Sequence, residues 1–217
     1  MTPPSPITAV IFDLDGVLVD SFAVMRQAFE TAYAEVVGGD RPPFEDYRRH
    51  LGRYFPDIMR IMGLPAEMEE PFVRESQRLA HQVRIYDGVP AMLGLLRTLG
   101  VPTAVATGKS GPRARSLLGQ LGLLRRFDAV IGSDEVRRPK PAPDIVERAL
   151  AVLAVPASAA VMVGDAVTDM RSAQSAGVRA AAAVWGEGEE ADLVAANPDM
   201  VLRHPMAVPM LVRSRAA

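Results

Sequence analysis

The chain has 217 residues, 49% hydrophobic and 23% charged, with a formal net charge of -2. That length suits one globular unit or a core carrying a smaller insertion, and the charge lacks the basic excess of a nucleic-acid binder. There are no cysteines, which excludes a disulfide framework and a thiolate metal site and is compatible with a reducing cytoplasm. The opening Met1-Thr-Pro-Pro-Ser-Pro6 has neither the basic region nor the apolar run of a signal peptide, and no stretch is long enough to cross a bilayer. The expectation is a cytoplasmic protein with no membrane or nucleic-acid partner.

The first predicted element is a strand over 7–12, an apolar run that ends in Asp13-Leu-Asp15-Gly16. From about 20 to 86 no clear strand is predicted. Phe22, Met25, Phe29, Tyr33, Val36 and Val37 form a stripe at helical spacing behind Ser21, a natural N-cap residue. Gly38-Gly39 ends that helix, and shorter helices are expected over 44–50, 56–62 and 66–83. Met25, Met59, Met62 and Met68 all fall in this segment, as core packing or as an adaptable pocket wall. A helix over 89–99 follows, then a strand over 101–106 running into Thr107-Gly108-Lys109. A helix over 112–121 opens on a proline and stops before Gly122. Strands are expected over 127–132, 159–163 and 178–184, with helices over 144–153 and 168–176. The strand over 159–163 leads into Gly164-Asp165. A short strand over 200–202 and a helix near 206–212 close the chain, and 213–217 is expected to be disordered.

Apolar runs with little alternation suit strands buried on both faces. Alternating strand and helix implies a parallel sheet between helical layers. The fold class is therefore α/β, with a Rossmann-like three-layer core from 1–19 and 87–217 and a helical cap from 20–86. Ligands of such sheets sit beyond the carboxyl ends of the strands, where the polar residues above fall.

Asp13 and Asp15 directly follow a buried strand, where unpaired carboxylates are costly. They suit a nucleophile and a proton donor, and equally a turn that favours Asp. Thr107 and Gly108, with Lys109 behind them, suit a phosphate-binding turn, or simply a strand-to-helix connection. Lys140 lies in Pro139-Lys-Pro-Ala-Pro143. A stiffened backbone there offers a fixed ammonium for a carboxylate and a phosphoryl oxygen; a solvated loop lysine is the plainer reading. Asp165 and Asp169, four apart, offer hard oxygens for Mg2+, or mark a helix start that favours acidic residues. These carboxylates would face an anionic phosphate. Like charges about 4 Å apart repel by about 4 kcal/mol at an effective dielectric near 20, and a divalent cation removes the difficulty.

Together these motifs resemble the haloacid dehalogenase superfamily, in the phosphatase branch that includes phosphoglycolate phosphatases and beta-phosphoglucomutases. Asp13-Leu-Asp-Gly-Val-Leu-Val-Asp-Ser21 resembles the first motif, Thr107-Gly108 the second, Lys140 the third, and Gly164-Asp165 with Asp169 the fourth. The resemblance implies hydrolysis of a small phosphorylated metabolite through an aspartyl-phosphate on Asp13. It implies Mg2+ held by the Asp13 side chain, the Asp15 backbone carbonyl and Asp165, with Asp169 supporting the metal and Lys140 from behind. Asp15 would protonate the leaving alcohol and then activate water. Specificity would come from the cap near His50-Leu-Gly52-Arg53, where Gly52 allows a tight turn and Arg53 and His50 reach the substrate. The stretch 52–65 is similar to phosphatases associated with aminohydroxybenzoate synthesis in ansamycin-type antibiotic pathways.

Two other functions use the same residues. A phosphomutase would return the phosphate to a second hydroxyl beneath a cap that excludes water. A phospho-accepting signalling module would hold the phosphate without turnover. The expected assembly is a monomer or homodimer.

Overall fold

The computed structural model describes residues 5–39 and 41–212; the predicted disorder over 213–217 lies outside them. The chain begins with β1 (Ala9–Phe12) and a short β2 (Val19–Asp20), then α1 (Phe22–Val36), α2 (Phe44–Arg48), α3 (Phe55–Met62) and α4 (Glu69–Arg78). It returns through β3 (Arg84–Ile85), α5 (Val89–Thr98), β4 (Thr103–Thr107), α6 (Gly111–Gln120) and β5 (Ala129–Gly132). It closes with α7 (Asp144–Leu153), β6 (Ala160–Gly164), α8 (Val167–Ser175), β7 (Arg179–Ala183), α9 (Glu190–Ala195) and β8 (Met200–Leu202).

Six strands form one sheet in the order β5-β4-β1-β6-β7-β8, every neighbouring pair parallel. Because side chains alternate across a strand, β1 sends Val10 and Phe12 to one face and Ala9 and Ile11 to the other. The first face packs on Met92 and Leu96 of α5 and on Leu117 and Leu118 of α6. The second packs on Ile145, Val146 and Ala149 of α7 and on Met170 and Ala173 of α8. Each large apolar side chain buried in this way stabilises the fold by about 1.5–3 kcal/mol. The chain winds outward from β1 to β5, then restarts beside β1 at β6. The ends of β1, β4 and β6 are therefore adjacent at the switch point where α/β sheets bind ligands.

The segment between β1 and α5 has its own apolar cluster, with Phe29, Phe44, Tyr47, Phe55 and Phe72 at its centre. Phe55 and Phe72 stack with ring centres 4.0 Å apart. Met59 and Met68 are buried in this cluster and Met62 packs against it. Met25 also lines the cavity described below.

Several local expectations differ from the structure. The segment does contain strand: β2 and β3 pair antiparallel, joining the two chain crossings between core and helical segment. Two-residue strands are too short to leave a periodic signal. The helix expected over 66–83 is α4 flanked by 3-10 turns at Ala66–Met68 and Ala80–Gln82. The closing helix near 206–212 is a 3-10 helix, Pro205–Leu211, interrupted by Pro209. Ser21 precedes α1, but its side chain does not cap the helix; it serves Asp15 instead.

Candidate active site

Asp13 lies one residue past β1, buried at the carboxyl end of this interior strand. Asp165 and Asp169 follow β6, at the start of α8. One carboxylate oxygen from each of Asp13, Asp165 and Asp169 lies within 4.8 Å of the others. Lys140, fully buried, enters this cluster and donates to Asp13 Oδ1 at 2.9 Å and to Asp169 Oδ1 at 2.6 Å. Asp169 Oδ2 accepts the Ala166 N–H at 3.0 Å, so both of its oxygens are engaged and α8 gains a cap. Asp165 has no ion pair among the described residues; its Oδ2 accepts the Glu187 N–H at 2.8 Å.

Burial pushes the Asp13 carboxyl up to about 7, with Asp169 and Asp15 adding to the rise and Lys140 opposing it. Burial and the neighbouring Asp13, Asp169 and Glu187 raise Asp165 well above the usual carboxylate range. Lys140 is held above its ordinary value: burial acts against its charge, but Asp13 and Asp169 more than compensate. One ammonium thus faces three buried carboxylates. The donors are all hard oxygens and their negative charge exceeds the local positive charge, so the cluster fits a divalent cation such as Mg2+.

Asp15 points elsewhere. Its side chain is not part of the acidic cluster: Oδ1 accepts from Lys109 Nζ at 2.6 Å and from the Ser21 hydroxyl, and Oδ2 accepts from Lys109 Nζ at 2.5 Å. Burial is the largest influence on Asp15 and acts upward, but Lys109, Ser21 and Arg113 together hold the carboxyl below its ordinary value. Lys109 is therefore paired with a carboxylate. Gly16 follows at φ +75°, and a Cβ there would lie 1.8 Å from Asp165 Oδ2, so the glycine lets the two loops meet.

Thr107 ends β4, buried; its hydroxyl accepts the Lys109 N–H at 3.2 Å. Gly108 faces the helical segment, where a Cβ would lie 2.7 Å from the Gly52 carbonyl oxygen and 2.8 Å from that of Arg53. Gly52 itself has φ +81°. The helical segment thus closes directly over the strand ends. The cavity between them, about 50 Å3, is lined by Asp13, Asp15, Gly52, Arg53, Lys109, Arg113 and Asp165, with Tyr47, Phe55 and Phe72 also on its wall. His50 is not on its wall. Burial, then Arg53, lowers the His50 pKa, so its ring favours the neutral form. A wider cleft of about 560 Å3 opens beside Asp165 and Arg53.

Sequence reasoning missed Ser21 as a partner of Asp15, and it missed Arg113 and Glu187. Glu187 has a readable signal: it follows the apolar run of β7 by a few residues, the same position past a strand end that marked Asp13 and Asp165. Its Oε1 is buried without a hydrogen-bond partner among the described residues. Burial, then Asp15, pushes it up to about 8. Arg113 and Ser21 carried no such signal, since each lies in or beside a helix.

Comparison with known proteins agrees with this geometry. The family model described as haloacid dehalogenase-like hydrolase matches residues 10–183, and the chain belongs to that family. "Probable phosphatase IndB" of Dickeya dadantii is 35% identical, over 89% of this chain and 88% of that protein. A phosphoglycolate phosphatase of Pseudomonas savastanoi pv. phaseolicola is 32% identical, over 89% of this chain and 75% of its own length. CbbY from Rhodobacter sphaeroides, solved in complex with phosphate, superposes with a TM-score of 0.77 at 26% identity, covering 93% of this chain and 96% of that one. The chain is a hydrolase of this family, and its relatives place it among the family's phosphatases. Neither the mutase nor the signalling alternative is favoured, and none of these names bears on aminohydroxybenzoate synthesis. No helix among the described residues is long and apolar enough to cross a membrane.

Proposed function

We propose that the protein is a Mg2+-dependent phosphomonoesterase of a small acid or sugar phosphate, acting through a phosphoryl-enzyme on Asp13. The observation that carries this reading is the buried Asp13–Lys140–Asp169 chain beside an unpaired Asp165. It sets a nucleophile, a fixed cation and a metal ligand at one rim of the sheet.

In this reading the Asp13 side chain, the Asp15 carbonyl and Asp165 would hold the cation, and Asp169 braces Lys140. The cation supplies charge compensation, keeping the buried carboxylates ionised and offsetting the phosphoryl oxygens. Lys140 donates to Oδ1 of Asp13, which holds the carboxylate in place for attack on phosphorus. The P–O ester bond breaks as the Asp13–P bond forms, and the leaving oxygen takes a proton from Asp15. Water then attacks the phosphoryl-enzyme and returns a proton to Asp15, releasing inorganic phosphate and free Asp13.

The pairing with Lys109 suits the second step, since it holds Asp15 ionised and ready to accept. The first step requires that contact to loosen so that Asp15 can carry a proton. The helical segment from 20 to 86 acts as a cap over the core from 1–19 and 87–217. Gly52 and Arg53 contribute its substrate-facing loop, while Thr107 and Gly108 supply the phosphate-binding turn.

The test is a panel of small phosphate esters offered with Mg2+ to the purified protein and to Asp13→Asn. Inorganic phosphate should be released by the first and not by the second, with matching circular dichroism. Turnover by Asp13→Asn near the wild-type rate would remove Asp13 as the nucleophile. A wild type inert toward the whole panel would remove the activity.

A further inference from the structure

Arg113 lies in the first turn of α6, in the core, yet its guanidinium reaches into the cap. Nη2 donates to Ser76 Oγ at 2.9 Å, and the guanidinium carbon sits 5.2 Å from the centre of the Phe72 ring. Both partners belong to α4. The side chain forms no ion pair among the described residues. Burial lowers its pKa, and the charge of Asp15 is the largest influence opposing that.

A partly buried cation with no directly bonded counter-anion is costly; Asp15 acts on this one without a direct ion pair, and a ring face and a hydroxyl hold it in place. The other cations at the cavity are differently placed. Lys140 is bound to Asp13 and Asp169, and Lys109 to Asp15. Arg53, on the cap loop, has no ion pair among the described residues and also borders the wide cleft. Arg113 has no ion pair among the described residues and is anchored by Phe72 and Ser76 on the aromatic side of the cavity, where it also borders a second cavity of about 40 Å3. We propose that Arg113 reads a carboxylate on the substrate, at the end remote from the phosphoryl group.

The guanidinium fork matches a planar carboxylate. Arg113 lines the same cavity as Asp13 and Asp165, so the substrate is a phosphate ester that also carries a carboxylate. This rests on the phosphomonoesterase reading and names its substrate class.

The experiment compares wild type, R113Q, R113K and R53Q with Mg2+, using 2-phosphoglycolate and the uncharged-tail ester p-nitrophenyl phosphate. In R113Q the ratio of kcat/KM for the acid ester to that for the aryl ester should fall about 30-fold, mainly through KM, with partial recovery in R113K. A ratio within about threefold of wild type in R113Q overturns the proposal, because a residue that only straps core to cap would depress both esters alike. A ratio that collapses in R53Q but not in R113Q assigns the carboxylate to the cap loop and also overturns it.

Should the wild type hydrolyse neither ester, the activity reading fails separately, and thermal melting then decides. A larger stabilisation by 2-phosphoglycolate than by inorganic phosphate, lost in R113Q, supports the assignment. Equal stabilisation by the two ligands sinks it.

Discussion

Lys109 Nζ lies 2.5 Å from Asp15 Oδ2, although 94 residues separate them in the chain. The contact joins the loop after β1 to the loop after β4. It keeps Asp15 ionised and turned away from the acidic cluster. Of the two aspartates in the first loop, one therefore joins the cluster and the other is held by a lysine, a division of environment that suits them to different steps.

Replacing Lys109 by Met removes the charge that opposes burial at Asp15. The Asp15 pKa then rises, so a higher pH is needed to ionise it. The acid limb of the kcat profile should move to higher pH, and kcat at neutral pH should fall about 10- to 100-fold. Steady-state rates between pH 5 and 9 check this. A limb that stays in place or moves down would separate Lys109 from the titration of Asp15.

Mg2+ should stabilise the fold as well as support turnover. At about 100 times its dissociation constant a ligand adds about 2.7 kcal/mol, or about 5–10 °C in melting temperature for a chain of this size. Asp165→Asn should abolish that shift. It should leave the metal-free protein no less stable, because it removes an unpaired buried carboxylate. Scanning calorimetry with and without Mg2+ measures both, and an undiminished shift in Asp165→Asn would take that residue out of the metal set.

Gly108→Ala tests the closure of cap on core. The added methyl meets the Gly52 and Arg53 carbonyl oxygens at under 3 Å, so the cap loop must back away by a fraction of an ångström or more. Because the sheet is not involved, melting temperature should change little. Displacing the cap should lower kcat/KM about 10- to 100-fold and speed proteolysis of the 40–55 region. Wild-type kinetics in this variant would show that the observed contact is not the catalytic one.

Much of the molecule is legible without its structure, for local reasons. The strands at Ala9–Phe12, Ala160–Gly164 and Arg179–Ala183 announce themselves as short apolar runs bounded by turn residues, and α7 runs over the predicted 144–153. Asp13, Thr107 and Asp165 are found because each follows such a run, and parallel strands must end on one rim. The pairs β2 and β3 were hidden because two residues carry no period.

The sequence by itself determined the α/β core, the position of the helical insertion and the acidic residues at the strand ends, since these follow from periodicity and turn chemistry within a few residues. Only the tertiary structure decided the pairings. It put Lys140 on Asp13 across 127 residues, Lys109 on Asp15, Ser21 beside them in place of a helix cap, and Arg113 under Phe72. Which charges meet depends on strand order and on how the cap seats. Side chains far apart in the chain are brought within 3 Å by packing that no local pattern records.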